Sequence, residues 1–307
     1  MKVLITPRSY GKTDPGVFEM LKEAGIDYSL NDTAGILSKE QMIERLRDCN
    51  GVIIGVDPLD GEVINAAEKL KVISKYGVGV DNIDLETAAQ RGIKVSRTVG
   101  ANSEAVADYA MTLMLALARK ILPIDARCRN SDWKKITTID VSRKTIGILG
   151  FGAIGKLVAQ RAQGFNMRVL AFDSYWDEEY VQKNGIIKAS PEEIFREADF
   201  ISLHLPLLPE TRNFIDADQL AMMKPTAIVV NTARGGLINE EALLQALKEN
   251  RIYGAGMDVF MEEPPSNKEW FTLENVIIGS HCAASTTGAA YNMGRMATEN
   301  LIRDLFN

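Results

Sequence analysis

The chain has 307 residues, 46% hydrophobic and 25% charged, enough for two domains or one large α/β domain with a sizeable core. A net charge of −6, with basic residues dispersed among acidic ones, excludes a nucleic-acid partner held through clustered Lys and Arg. Cys49, Cys128 and Cys282 are odd in number and form no C-x-x-C pair, which excludes a disulfide framework and a zinc site.

The start "MKVLITPRSY" breaks at Pro7 and Arg8, too soon for a signal peptide. The longest helical apolar run, around "MTLMLALA", is far too short for a membrane span. A cytoplasmic protein without membrane, nucleic-acid or metal partners is expected.

In chain order the expected strands are "KVLIT", "GVIIG", "VISKYG" and "IKVSR", then "TIGILG", "RVLAFD", "FISLHL", "AIVVNT", "YGAGMDVF" and "NVIIGS". Continuous apolar runs alternating with helical periodicity indicate parallel sheets covered on both faces. A long break divides them into a group of four and a group of six. Within it, residues 103–120 read as a helix that is apolar nearly all round, capped at Asn102 or Ser103. Such a helix is either an interior element linking two domains or a subunit interface. The tail "TGAAYNMGRMATENLIRDLFN" reads as an amphipathic helix that returns to the first group.

"TIGILGFGAIGKLVAQRAQGFNMRVLAFD" is strand, glycine turn, helix, strand and acid. Gly150, Gly152 and Gly155 permit a tight turn, close backbone approach to a pyrophosphate, and helix packing on strand. The helix opening at Ala153 and Ile154 turns free N–H groups toward the phosphates. Asp173 ends the second strand, where it can accept from ribose hydroxyls. Its charge repels a 2′-phosphate, so NAD is expected over NADP. A bound nicotinamide calls for a proton donor and a substrate anchor. Arg234 in "NTARGGLINEEAL", Asp258 and Glu263 in "MDVFMEEPP", and His281 in "GSHCAAST" all stand at or past strand ends, where ligands bind in open α/β sheets.

With "KYGVGVDNID", "GANSEAVADYAM", "GFGAIG", "HLPL", "NTARGG", "DVFMEEPP" and the His of "HCAAST" in one order, the chain resembles the NAD-dependent D-2-hydroxyacid dehydrogenases. The resemblance implies two doubly wound parallel-sheet domains. A Rossmann-type cofactor domain (99–285) is inserted in a flavodoxin-like substrate domain (1–98 with 286–307). It also implies a homodimer through the cofactor domain and a small 2-hydroxy or 2-keto acid substrate.

Arg234, Glu263 and His281 take the positions of the catalytic arginine, glutamate and histidine. Arg234 suits a carboxylate and the adjacent keto oxygen, His281 serves as acid–base, and Glu263 favours the imidazolium. The resemblance also implies a carboxylate-binding loop at Tyr76, Val78 and Gly79. Asp258 would meet the nicotinamide carboxamide, with Thr232, Ala233 and Ala283 around the ring. His204, Pro206 and Thr211 would lie at the edge of the cofactor site.

Several departures stand out. Ala283-Ala284 replace two glycines, and "GVDPLDGEV" lacks the substrate arginine of many phosphoglycerate dehydrogenases. Arg8 and Lys75 are the candidate substitutes, with ordinary surface charge as the alternative for each. Phosphoglycerate dehydrogenase-like activity, without a C-terminal regulatory domain, is the leading expectation. Hydroxypyruvate or glyoxylate reduction follows, and an NADH-sensing corepressor-like module is the rival from another class. Glu263 stands where formate dehydrogenases have glutamine.

Overall fold

The computed structural model describes residues 1–33 and 35–307, which divide into two compact units. The first comprises Met1–Asn102 and Ser285–Asn307. Its strands are β1 (Lys2–Ile5), β2 (Asp27–Leu30), β3 (Gly51–Ile54), β4 (Val72–Lys75) and β5 (Lys94–Arg97), parallel, in the order β2-β1-β3-β4-β5. The helices α1 (Gly16–Glu23), α2 (Lys39–Leu46), α3 (Gly61–Ala66) and α4 (Leu85–Gln90) alternate with them.

Side-chain alternation along β1 places Val3 and Ile5 in one core, with Leu21 and Leu301, and Leu4 in the other, with Met42 and Leu46. Covering both faces is what makes β3 and β4 buried throughout. The C-terminal helix does return to this unit: Ser74 Oγ donates to Ala297 O at 2.7 Å.

The second unit, Ser103–Ala284, holds α5 (Ser103–Ala118), α6 (Ile121–Arg129), α7 (Ala153–Gly164), α8 (Glu178–Lys183), α9 (Pro191–Glu197), α10 (Ala217–Met222) and α11 (Glu240–Lys248); α12 (Thr287–Phe306) is the returning helix. Its strands are β6 (Thr145–Leu149), β7 (Arg168–Phe172), β8 (Ile187–Lys188), β9 (Phe200–Leu203), β10 (Ile228–Asn231), β11 (Gly254–Met257) and β12 (Val276–Ile278). They form one parallel sheet, β12-β11-β10-β9-β6-β7-β8. The chain winds outward from β6 in both directions, so a switch point lies between β6 and β9, and every strand releases its loop on the same side.

Helix α5 is an interior element of this unit. Ala107, Ala110, Leu113, Met114 and Leu117 join a core with Val158 and Val230. Its exposed Glu104 and Asp108 pair with Arg161 of α7 at 2.5 and 2.6 Å.

Two strands lie beyond the ten expected, β2 and β8. Both are sheet edges, short and largely exposed, so neither has the apolar run that marks a covered strand. Among the described residues no helix is long and apolar enough to cross a membrane.

Candidate active site

β6 ends at Leu149 and the chain turns at Gly150 with φ +96°. A Cβ there would lie 2.5 Å from the His204 carbonyl carbon, so only glycine fits between the ends of β6 and β9. At Gly152, the N-cap of α7, a Cβ would meet nothing within 4 Å, and no side chain caps the helix. Open space thus faces the N–H donors of the first turn, at Ala153 and Ile154, an arrangement that accepts a phosphate. Asp173, just past β7, accepts from Phe151 N at 2.6 Å through Oδ2 and from Tyr175 N at 3.0 Å through Oδ1. It fixes the glycine turn, and lone pairs remain for incoming hydroxyls.

His204 and Thr232 follow neighbouring strands, β9 and β10, paired as Leu203 with Asn231. His204 Nε2 shares a 2.9 Å hydrogen bond with Ser202 Oγ, while its buried Nδ1 and the buried Thr232 Oγ1 have no protein partner. Burial pulls the His204 pKa down to about 3, so the ring is neutral at physiological pH and cannot serve as the acid. Orphaned buried polar atoms just past two adjacent strand ends are unusual and call for a ligand or water. Together with the open cradle at Gly152, they fit a dinucleotide. Thr211 Oγ1 donates to Pro206 O at 2.6 Å and accepts from Leu208 N at 2.7 Å, pinning the loop on which Pro206 is exposed.

The turn bearing Arg234 is wrapped around buried Asn231, whose Oδ1 accepts from Ala233 N at 3.0 Å and whose Nδ2 donates to Arg234 O at 2.8 Å. Arg234 Nη1 donates to Ala233 O at 2.6 Å. This turn presses on the next: a Cβ on Gly235 would lie 2.2 Å from the Phe260 carbonyl.

In the turn after β11, Phe260 N donates to Glu263 Oε1 at 3.1 Å, and Glu263 Oε2 meets His281 Nδ1 at 2.9 Å. The peptide bond from Glu263 to Pro264 is cis. His281 has φ +56°, costly for a residue with a Cβ. That backbone is held by His281 N to Asp258 O at 2.8 Å, and by Cys282 N and Ala283 N to the two Asp258 carboxylate oxygens at 3.0 and 2.9 Å. Asp258 is 1% exposed, so its visible work is to anchor the histidine loop.

The charges are arranged to protonate His281. Its hydrogen bond to Glu263 raises the pKa, outweighing burial; the charges of Glu263 and Asp258 add to the rise and Arg234 opposes it. For Glu263, burial pushes the carboxyl up. The bond to His281, its charge, the Phe260 N–H and Arg234 outweigh burial and leave it below the ordinary range. With Nδ1 bound to Glu263, Nε2 is the nitrogen left to exchange a proton.

Arg8, Lys75, Tyr76, Val78 and Gly79 belong to the first unit. Val78 and Gly79 are half-buried in the loop after β4, whose Gly77 N donates to Thr98 Oγ1 at 2.9 Å. Both Tyr76 and Lys75 have side-chain partners within this unit. The Tyr76 hydroxyl is spent inside the unit, donating to Ala290 O at 3.1 Å and accepting from Ser9 Oγ at 3.2 Å. Lys75 is buried, and its Nζ donates to Gly55 O at 2.5 Å and Asn82 Oδ1 at 2.7 Å, tying the loops after β3 and β4 together. Arg8 is exposed beside an open cavity of 590 Å³ lined also by Tyr10, Lys12, Phe18 and Asn31.

Sequence reasoning missed Asn231 and Tyr109. An Asn at a strand end is a visible turn signal. Tyr109 has no local signature; its hydroxyl accepts from Cys282 Sγ at 3.3 Å across 173 positions of chain.

Residues 111–283 match the family described as D-isomer specific 2-hydroxyacid dehydrogenase, NAD binding domain. A glyoxylate reductase of Korarchaeum cryptofilum is 42% identical over 273 residues, covering 86% of this chain and 82% of the relative. A D-3-phosphoglycerate dehydrogenase of Methanocaldococcus jannaschii is 42% identical over 269 residues, 86% of this chain but 51% of the relative. Among solved structures, a D-lactate dehydrogenase from Aquifex aeolicus, complexed with NAD and lactic acid, matches with TM-score 0.85 and 26% identity, over 97% of this chain and 93% of that one. The chain belongs to the D-isomer specific 2-hydroxyacid dehydrogenases, oxidoreductases that interconvert a 2-hydroxy acid and its 2-keto acid with a nicotinamide dinucleotide.

Proposed function

We propose that the chain reduces glyoxylate, or a 2-keto acid of similar size, with NADH as the preferred cofactor. The observation that carries the chemistry is the Glu263–His281 hydrogen bond with Arg234 charge beside it. The substrate reading is supported by relatives named glyoxylate reductase, which match over most of their length, and by the loop after β3, where Val56, Asp57 and Pro58 offer no cation to a phosphate. Glyoxylate therefore replaces phosphoglycerate as the leading substrate.

Arg234 holds the substrate carboxylate and reaches the adjacent keto oxygen. His281, as imidazolium, passes its Nε2 proton to that oxygen, while Glu263 remains a carboxylate and steadies the ring. Bound NADH supplies the hydride that adds to the carbonyl carbon. In the reverse direction neutral His281 takes the hydroxyl proton.

The turn Gly150–Gly155 and the start of α7 are suited to the pyrophosphate. Asp173 suits the adenosine ribose, Thr211 holds Pro206 at the edge of the cofactor site beside His204, and Thr232, Ala233, Asp258 and Ala283 would lie around a bound nicotinamide. A carboxylate at the ribose repels a 2′-phosphate, which supports NAD over NADP.

We also propose a homodimer through this unit. Helix α6 buries none of its residues, and Ile121 and Leu122 remain 53% and 55% exposed with Trp133 at 79%. Sedimentation equilibrium at micromolar protein tests it, a monomer refuting it.

An initial-rate screen of glyoxylate, hydroxypyruvate, pyruvate and 3-phosphohydroxypyruvate with NADH and NADPH tests the substrate. Glyoxylate with NADH is expected to give the highest kcat/KM. A preference for 3-phosphohydroxypyruvate would overturn it.

A further inference from the structure

The turn Phe260–Glu263 is gripped by two carboxylates, of which only one touches His281. Phe260 N donates to Glu263 itself, and the next amide, Met261 N, donates at 2.6 Å to Glu240 Oε1. Glu240 is the first residue of α11 and half-buried. Its position is rigid. Asn239 caps the helix, accepting from Glu241 N and Ala242 N at 3.2 Å each, and is itself tied to Asp216 Oδ1 at 2.9 Å. Gly235 closes the turn from a third side.

We infer that Glu240 is a positioning residue for the acid–base pair: it clamps the turn that carries Glu263 and sets a second negative charge behind the Glu263–His281 bond. This rests on the acid–base reading of His281. A backbone amide needs only a neutral acceptor, so a half-buried anion here is more than the clamp requires. Burial and the nearby Glu263 charge both raise the Glu240 pKa, as expected of two carboxylates close together. The charged groups facing His281 are Glu263, Asp258 and Arg234; those facing Glu263 are His281, Arg234 and Glu240. Arg212 reaches the same turn only through Met261 Sδ, at 3.9 Å. An anion behind Glu263 makes that carboxylate a better partner for the imidazolium, so its removal loosens the proton on His281.

The chain has two histidines, and His204 stays neutral down to about pH 3, so the imidazole that titrates above that range is His281. NMR of the histidine ring carbons therefore reads His281 directly, without turnover. Glu240→Gln keeps the acceptor for Met261 N and removes the charge; Glu240→Ala removes both.

In Glu240→Gln the His281 midpoint is expected to fall by roughly 0.3–1 pH unit. The high-pH limb of kcat/KM for keto-acid reduction should fall by the same amount, with the low-pH plateau within about twofold of wild type. Glu240→Ala should show that shift together with a kcat loss of about tenfold as the turn loosens. A Gln variant with unmoved midpoint and pH profile overturns the inference, even if the Ala variant is slow, because only a neutral clamp then remains. Failure of the wild-type protein to reduce any 2-keto acid would instead remove the acid–base reading on which it stands.

Discussion

His281 Nδ1 stands 2.9 Å from Glu263 Oε2, and that one contact sets both the orientation of the ring and its readiness to hold a proton. The raised pKa of His281 has a direct kinetic sign. Reduction needs the imidazolium, so its kcat/KM should hold below the ordinary histidine pKa and decline as pH rises through the raised one, while oxidation rises over the same window. Glu263→Gln removes the largest cause of the rise. It should move both limbs to lower pH and cost about 10²-fold in kcat, read from pH–rate profiles; an unmoved limb would contradict the role given to Glu263. Any stability from the pair is present below the ordinary histidine pKa and lost as pH rises through the folded value. It is small, because the two side chains are 47% and 39% exposed.

Asp173→Ala should relax the proposed preference for NADH over NADPH, since the charge that would repel a 2′-phosphate is gone. It should also weaken both cofactors somewhat, because Phe151 N loses its acceptor in the glycine turn. Dissociation constants for the two cofactors from fluorescence titration check this. An unchanged ratio would show that discrimination lies elsewhere.

Gly235→Ala puts a methyl group 2.2 Å from the Phe260 carbonyl, backbone against backbone, where no side chain can yield. The turns carrying Arg234 and Glu263 must separate. Stability should drop by about 1–3 kcal/mol, with a kcat loss of roughly tenfold or more from displaced groups. Urea unfolding and steady-state rates measure the two effects; wild-type behaviour in both would contradict the close approach.

His204, neutral down to about pH 3, predicts acid sensitivity. Its folded pKa lies below the ordinary 6.5, so the unfolded chain binds the extra proton between those values. The contribution to stability is intact above 6.5 and lost as pH falls toward 3, at up to about 1.4 kcal/mol per pH unit. Stability against pH should therefore fall less steeply for His204→Phe than for wild type. Equal slopes would contradict the burial of this ring.

Much of this was legible in the residues. Continuous apolar runs marked the interior strands because parallel strands lie between covered faces. The glycine turn followed by Asp173 marked the first βαβ unit because few other residues tolerate that geometry. Edge strands β2 and β8 escaped because exposure leaves them without an apolar pattern. Lys75 resembled a surface cation because a sequence does not reveal that Gly55 O and Asn82 wait for it at a strand end. Asn231, Tyr109 and Glu240 act only through partners brought close by folding, and Tyr109 meets Cys282 from far along the chain.

The most direct test is His281→Ala, comparing kcat for glyoxylate reduction with NADH affinity from equilibrium titration. Turnover should fall by about 10²–10⁴-fold while NADH affinity stays within about threefold of wild type, since the imidazole serves the proton rather than the dinucleotide. Near-wild-type turnover in that variant would contradict the acid–base assignment.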